Sequence, residues 1–269
     1  MPFLKGYRHD IPKPKWLGYA ARDFDRIFLT DLDEAAWKEK VDDFRARLTD
    51  SVITDAFKQI PPEVYSFRGQ SMIQKMISRR DKLADAALKY YEYLAKRVNV
   101  IGSNQKEYFT VNNTDDGHLH VIVYARAKGN DTSFIMFDRV FKASETREVH
   151  LYGLNDDDRF NIEPGTTSKI KLRIIGGRGN DTFDIKGNVE NLLYDVRFPV
   201  ERNVILDSSH SKNRFENEQP VNERNLFGFE YNVNRFPRIH VNYNSDDGWM
   251  GGAGFSRRTF GIRNEPYAT

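Results

Sequence analysis

The feature that most constrains the fold of this chain is an internal repeat. The run EVHLYGLNDDDRFNI at 148–162 aligns with KLRIIGGRGNDTFDI at 171–185, at an offset of 23 residues. The aligned pairs are Gly153 with Gly176, Asp158 with Asp181, Phe160 with Phe183, and Ile162 with Ile185. Each copy reads as a strand, a glycine turn, an acidic turn and a short strand. A repeat of this length is typical of one coil of a parallel β-helix or β-roll, so we expect the corners and the two phenylalanines to stack.

The second copy also resembles the calcium-binding nonapeptide G-G-x-G-x-D-x-U-x of RTX proteins. The residues at its fixed positions are Gly176, Gly177, Gly179, Asp181 and Phe183. Glycines permit positive φ, so their carbonyl groups can point at a hard cation, and the aspartate adds charge. In that family successive copies share the calcium. The resemblance therefore implies a metal set of Gly176, Gly177, Gly179, Asp181 and Asp158.

A glycine corner without metal is the competing interpretation. The first copy has Leu154 and Asp156 where the nonapeptide requires glycine. A phosphate cradle is disfavoured, because Asp181 repels anions and the glycine turn leads into a strand rather than into a helix N-terminus.

Recognisable catalytic motifs are missing from the sequence. It has no H-E-x-x-H, G-x-S-x-G or P-loop pattern. His118 and His120 share one face of a predicted strand, but no third ligand lies near them in sequence. The acidic run Asp156–Asp158, together with Asp181, leaves a metal-dependent hydrolase (a phosphoesterase) as the alternative function.

The segment before the repeat predicts helices over about 31–98, after an extended lead-in at 1–30. Apolar residues at helical spacing, such as Trp37 and Phe44, indicate one buried face, and Asp33 is a candidate N-cap. The pattern predicts three helices that share a small core. The last of them is a long helix from about Gln70 to Arg97.

Strand patterns replace helical ones from about Asn99. We expect a mainly β domain over 99–206, a linker at 207–227 and a β-hairpin within 228–269. In the hairpin Ile239, Val241 and Tyr243 face one way, and polar residues face the other. The predicted fold class is therefore α+β, with a short β-helix-like repeat and a C-terminal hairpin.

Composition excludes several classes of protein. Lys and Arg number 41 against 39 Asp and Glu, so no basic field favours nucleic acid. Cysteine is absent, which removes disulfides and thiolate metal sites. No stretch approaches the roughly 18 apolar residues of a spanning helix. The N-terminus lacks the apolar core of a secretory signal, which is compatible with a cytoplasmic protein or with an excerpt of a longer one.

A second resemblance covers most of residues 24–269. The end of the chain, NYNSDDGWMGGAGFSRRTFGIRNEPYA, looks like the hairpin that opens the barrel of surface-antigen outer-membrane proteins of the BamA/TamA type. Upstream runs, including DRIFLTDLDEAAW and REVHLYGLNDDDRFNI, are similar to a region of large Gram-negative outer-membrane proteins in which a calcineurin-like phosphoesterase precedes such a barrel.

This resemblance implies a non-catalytic connector in the cell envelope, associated with the outer membrane. Calcium, if bound at the RTX-like corner, would rigidify it. The metal-binding motifs of the phosphoesterase have no counterpart in this sequence, so none of its catalytic residues carries over. No small-molecule substrate is implied.

Overall fold

The computed structural model describes residues 7–13, 21–126, 133–197, 200–208, 210–215 and 233–258. They form an α+β fold in which helices precede two main sheets and a hairpin. The helices are α1 Arg22–Phe28, α2 Glu34–Arg47, α3 Asp50–Phe57, α4 Pro62–Val64, a π-helical turn at Tyr65–Gly69, α5 Gln70–Asp81 and α6 Leu83–Ala95. The strands are β1 Arg97–Ile101, β2 Glu107–Asn113, β3 Leu119–Arg126, β4 Ser133–Phe141, β5 Glu148–Asn155, β6 Arg159–Ile162, β7 Thr167–Arg178, β8 Thr182–Ile185, β9 Asn188–Tyr194, β10 Val204–Asp207, β11 Ser211–Asn213, β12 Val233–Asn244 and β13 Gly248–Arg258.

The start of α2 follows the predicted capping chemistry. The Asp33 carboxylate accepts a hydrogen bond of 2.8 Å from the backbone N–H of Ala36. Thr49 caps α3 in the same way, through a 3.2 Å bond from Val52 N–H. Both side chains satisfy a backbone donor that has no partner inside its own helix.

Three expectations for the first hundred residues are wrong. Residues 22–28 of the expected extended lead-in form α1. The expected long helix is two helices, α5 and α6, which meet at Lys82 with φ −89° and ψ −1°. No proline or glycine lies at this bend. The helical spacing of apolar residues therefore continues through it and does not predict it. The expected buried face of α2 contributes no buried residue, and Phe44 is 51% exposed.

Two sheets form the β domain. The first, sheet A, has the order β1-β5-β7-β9-β11, and every neighbouring pair is parallel. The second, sheet B, has the order β10-β8-β6-β2-β3-β4. Its strands β2, β6, β8 and β10 run parallel, whereas β3 and β4 are added as an antiparallel meander.

The chain passes repeatedly from sheet A to sheet B through a corner. We call each passage a level: level 1 is 97–113, level 2 is 148–162, level 3 is 167–185 and level 4 is 188–207. The apolar side chains between the sheets form one core. Phe160 and Phe183 stack in it with ring centroids 5.4 Å apart and an interplanar angle of 8°. The predicted stacking of these two rings is confirmed, and Phe109 of level 1 extends it at 4.6 Å from Phe160.

The expected linker at 207–227 is partly structured. Residues 211–213 form β11, which pairs with β9, and Phe215 is buried in the core. The remainder, 216–227, lies outside the described residues. The C-terminal hairpin is formed by β12 and β13, with Tyr243 opposite Trp249. Its last expected residues, 259–269, also lie outside the described part.

Candidate functional site: the stacked glycine corners

The corners between the sheets contain a column of glycines. Strand register places Gly102, Gly153 and Gly176 at neighbouring positions of levels 1, 2 and 3. A Cβ atom on Gly153 would lie 2.2 Å from Oδ2 of Asp158, and one on Gly176 would lie 2.2 Å from Oδ2 of Asp181. These are prohibitive contacts. The column requires glycine because an acidic side chain packs directly against each backbone.

The acidic residues form a second column, in which each level hydrogen-bonds the next. Glu107 N–H donates to Asp158 Oδ1 at 2.8 Å, Asp158 N–H to Asp181 Oδ1 at 2.7 Å, and Asp181 N–H to Asn203 Oδ1 at 2.6 Å. We call this column the carboxyl ladder. Each rung gives a buried backbone N–H an acceptor at a corner where strand pairing is interrupted.

The second oxygen of each carboxylate has a different environment. Oδ2 of Asp158, Asp181 and Asp195 is buried and has no hydrogen-bond donor among the described residues. Asn203 occupies the same rung in level 4, and its Nδ2 donates to Val196 O at 2.9 Å. On this rung the side chain is an amide, and its Nδ2 has a hydrogen-bond partner. At Asp158 and Asp181 the corresponding carboxylate oxygen, Oδ2, has none among the described residues.

Burial raises the pKa of the ladder carboxyls, because a charge is costly where water is absent. For Asp158 burial is the main cause, and the neighbouring carboxyls of Asp181 and Glu107 add to it, giving a pKa of about 9. Burial likewise raises the pKa of Asp181 and Asp195. A protonated carboxyl can donate a hydrogen bond, so the ladder is compatible with burial when these groups are neutral.

Asp195 enters the glycine column from level 4. It follows Tyr194, the partner of Ile175, and so lies beside Gly176. Its Oδ2 and that of Asp181 each lie 2.2 Å from the point that a Cβ on Gly176 would occupy, so the two oxygens are at most twice that distance apart. Two acceptors this close repel each other unless a proton or a cation lies between them.

The corners have positive φ at the same two positions in both copies. Gly177 and Gly179 have φ of 113° and 142°, whereas their counterparts Leu154 and Asp156 have φ of 83° and 73°. A Cβ on Gly177 would lie 2.2 Å from the carbonyl oxygen of Leu154, so the corners are in direct contact. The first copy therefore adopts the glycine conformation with side chains that disfavour it.

The acidic run Asp156–Asp158 is divided by the corner. Asp157 pairs with Lys106 at 2.8 Å, Asp156 lies 3.9 Å from the same ammonium group, and both side chains are more than 40% exposed. Asp158 points inward and is 1% exposed. The three carboxylates therefore do not converge on one point.

The five residues predicted to hold calcium do lie in adjacent corners. Asp158 and Asp181 supply the oxygen chemistry that calcium prefers, but one oxygen of each already accepts a backbone N–H. Among the described residues, no group of three histidine or acidic side chains has the geometry of a metal site. Calcium binding stays a prediction.

Only one of the two histidines expected on a strand lies on β3. His120 Nε2 lies 2.6 Å from Asp138 Oδ1, whereas His118 precedes β3. His150, which looked isolated in sequence, is buried with its Nε2 3.1 Å from Glu148 Oε1. Burial acts to raise the pKa of Glu148, but its contacts with His150 and with the Arg173 guanidinium hold that pKa at about 2.

Sequence reasoning missed Glu107, Asp195 and Asn203. A signal for Glu107 was available, since it follows Gly102 by the same interval that separates Gly153 from Asp158 and Gly176 from Asp181. Asp195 had no such signal, because its position does not follow the interval that the other levels repeat.

Comparison with known proteins gives no family. No protein-family model, no curated protein and no solved structure matches this chain. Within the part that the structure describes, no helix is both long and apolar enough to cross a bilayer.

Proposed function

We propose that this chain is a non-catalytic connector of a bacterial cell envelope, which holds an upstream domain at a fixed distance from an outer-membrane β-barrel. In this proposal levels 1 to 4 are a short β-helix that acts as a rigid spacer. The hairpin β12–β13 is its membrane-side end. No enzymatic role is assigned to the chain.

The stacked corners support the spacer role. Levels 1, 2 and 3 are bonded in succession through strand pairing, through the carboxyl ladder and through the phenylalanine stack. Strand pairing and the ladder continue to level 4. Such an array resists bending, because any tilt between levels must break several of these contacts at once.

The observation that carries the membrane-side assignment is the exposed apolar face of the hairpin. Ile239, Val241, Tyr243, Trp249 and Phe255 are 60–77% exposed. Tyr243 pairs with Trp249 next to the polar turn 245–247, with ring centroids 5.2 Å apart. Apolar residues that end in an aromatic pair are typical of barrel strands at a membrane interface.

Co-flotation with vesicles of phosphatidylethanolamine and phosphatidylglycerol tests this assignment. The double variant Val241→Asp, Trp249→Ser removes apolar contacts from the exposed face, and we expect it to float at least about fivefold less than the wild-type chain. His240→Ala lies on the opposite face and is the matched control. A wild-type chain that stays at the bottom of the gradient, or a double variant that floats equally well, would refute the membrane-side role.

Calcium at the corners is part of the proposal and has its own test. A ligand that binds only the folded chain must raise its melting temperature. Calorimetric titration with calcium chloride should therefore give heat and a higher Tm, and Asp181→Asn should abolish both. If wild type and variant both show no response, the calcium role is refuted while the spacer role is unaffected.

The alternative function, a metal-dependent hydrolase acting through Asp156–Asp158 and Asp181, has a separate test. It requires that a substrate reach these carboxyls, although Asp158 and Asp181 are at most 1% exposed. A phosphoesterase assay with magnesium and manganese would support it only if Asp181→Ala abolished an activity of the wild-type chain.

A further inference from the structure

A cleft separates the helices from the start of the β domain, and three arginines and one aspartate belong to its lining. It is formed by α1, α2 and α6 on one side and by β1 and β4 on the other. The arginines are Arg26, Arg97 and Arg139, and the aspartate is Asp25. Arg97 also pairs through its Nε with Glu148 Oε2 at 3.5 Å. The space, including the open mouth, is about 300 Å³.

Arg139 is the unusual residue of the cleft. It belongs to the inward-facing side of β4, between Phe137 and Phe141, and it is 5% exposed. Its Nη1 donates to the carbonyl oxygen of Thr30, and its Nη2 lies 3.4 Å from the Tyr91 hydroxyl. Its Nε is buried and has no acceptor among the described residues.

The positive charge of Arg139 lacks a carboxylate in contact. Asp33 and Glu145 act on it only from a distance, and within the described chain no acidic group lies at ion-pair distance. Burial is also the main cause that lowers the pKa of its guanidinium. A guanidinium has five N–H donors in a planar fork suited to a carboxylate, and most of these donors are not used here.

The remaining lining residues indicate which kind of chemical group the anionic ligand carries. Trp37 and Tyr91 lie with ring centroids 6.1 Å apart, and leucines complete the apolar lining. A buried cation in an apolar cleft favours a ligand with one anionic end and an apolar body, because such a ligand neutralises the charge without bringing water into the cleft.

We propose that this cleft binds a small carboxylate with an aromatic or branched aliphatic body, with Arg139 as the principal anion-binding group and Arg97 at the mouth. The site is independent of the connector role and of the glycine corners. It would make the junction between helices and sheets sensitive to a ligand, since both sides of the cleft would contact it.

Thermal shift and calorimetry with sodium benzoate test the proposal at constant ionic strength, with neutral benzamide as the matched ligand control. Benzoate should raise Tm saturably, and benzamide should have at least about a tenfold weaker effect, because it lacks the charge that Arg139 binds. In Arg139→Gln the benzoate response should disappear. Arg159→Gln, which removes an arginine of β6 that does not belong to the cleft lining, should retain it.

Arg97→Gln decides the question if Arg139→Gln does not fold, since Arg97 is one-third exposed and replacing it disturbs less packing. It should weaken benzoate binding at least about threefold through loss of one charged hydrogen bond. Equal responses to benzoate and benzamide, no saturable response, or full binding by the arginine variants of the cleft would each overturn the proposal.

Discussion

The backbone N–H of Asp158 donates a 2.7 Å hydrogen bond to Oδ1 of Asp181, 23 residues further along the chain. The two aspartates that the repeat aligns are thus consecutive rungs of one ladder. Asp158 and Asp181 each use one carboxylate oxygen for the backbone and leave the other in a buried space without a donor among the described residues. The stability of the corners therefore depends on the protonation of these groups or on a bound cation.

The isosteric variant Asp158→Asn should stabilise the fold. It keeps an oxygen acceptor for Glu107 N–H and adds an amide donor, as Asn203 already does in level 4. We expect the free energy of unfolding at pH 7.5 to rise by about 1–2 kcal/mol, the usual value of relieving one unsatisfied buried group. Urea denaturation measures it.

Asp158→Ala is the matched control for that variant. It removes the acceptor as well and should cost about 1–3 kcal/mol, because Glu107 N–H is left buried and unpaired. A loss of stability in Asp158→Asn similar to that in Asp158→Ala would indicate that Asp158 is charged in the fold and holds a cation.

Stability should fall as pH rises from 7 to 9. The pKa of Asp158 is about 9 in the folded chain against an ordinary 3.8, so the folded state binds more protons than the unfolded state throughout this interval. The stability that Asp158 contributes is fully present below its unfolded pKa of 3.8, and it is lost as pH rises to its folded pKa of about 9. Melting temperature at pH 7, 8 and 9 checks it.

Two other groups bound the useful pH window. Burial lowers the pKa of His150, so its contribution is lost only as pH falls below about 6.5. Glu148, with a pKa of about 2, loses its contribution below its ordinary value of 4.5. Neither interferes at pH 7–9. The double variant Asp158→Asn, Asp195→Asn should flatten the profile, and an unchanged slope would contradict the prediction.

Leu154→Gly should stabilise the chain, although it deletes a side chain. Leu154 has φ of 83°, a conformation that costs a residue other than glycine about 1–2 kcal/mol. The extra freedom of glycine in the unfolded state offsets about 0.5–1 kcal/mol, so we expect a net gain of about 0.5–1 kcal/mol. Thermal denaturation measures it.

The reciprocal control is Gly177→Leu. The added Cβ would lie 2.2 Å from the carbonyl of Leu154, at φ of 113°, so this variant should be severely destabilised. If Leu154→Gly also destabilises, the packing of the leucine side chain outweighs the backbone strain.

Phe160→Ala should be among the most damaging changes in the core. Its ring lies between Phe109 at 4.6 Å and Phe183 at 5.4 Å, and it is 1% exposed. Truncation leaves a cavity that its neighbours cannot fill, and we expect a loss of about 3–5 kcal/mol in free energy of unfolding. Phe160→Leu retains most of the volume and should lose no more than about 1.5 kcal/mol. Equal losses would indicate that ring stacking, rather than volume, dominates.

The local pattern of this sequence determined much of the fold. The repeat aligned Phe160 with Phe183 and Asp158 with Asp181, and these pairs do meet across adjacent levels. The cap residue Asp33 marked the start of α2. Alternation also placed Ile239, Val241 and Tyr243 on one exposed face of the hairpin. Such features depend on neighbours a few residues apart or on a regular interval, which a sequence displays directly.

Tertiary structure alone decided the rest. Asp195 reaches the glycine column because β9, the sheet A strand of level 4, ends beside Gly176. The 23-residue interval of the repeat does not predict this position. Arg139 becomes a buried cation because the helices cover the inner side of β4, more than a hundred residues after Thr30, whose carbonyl it binds. Burial and charge at these sites arise from contacts between distant segments, and those contacts leave no periodic trace in the chain.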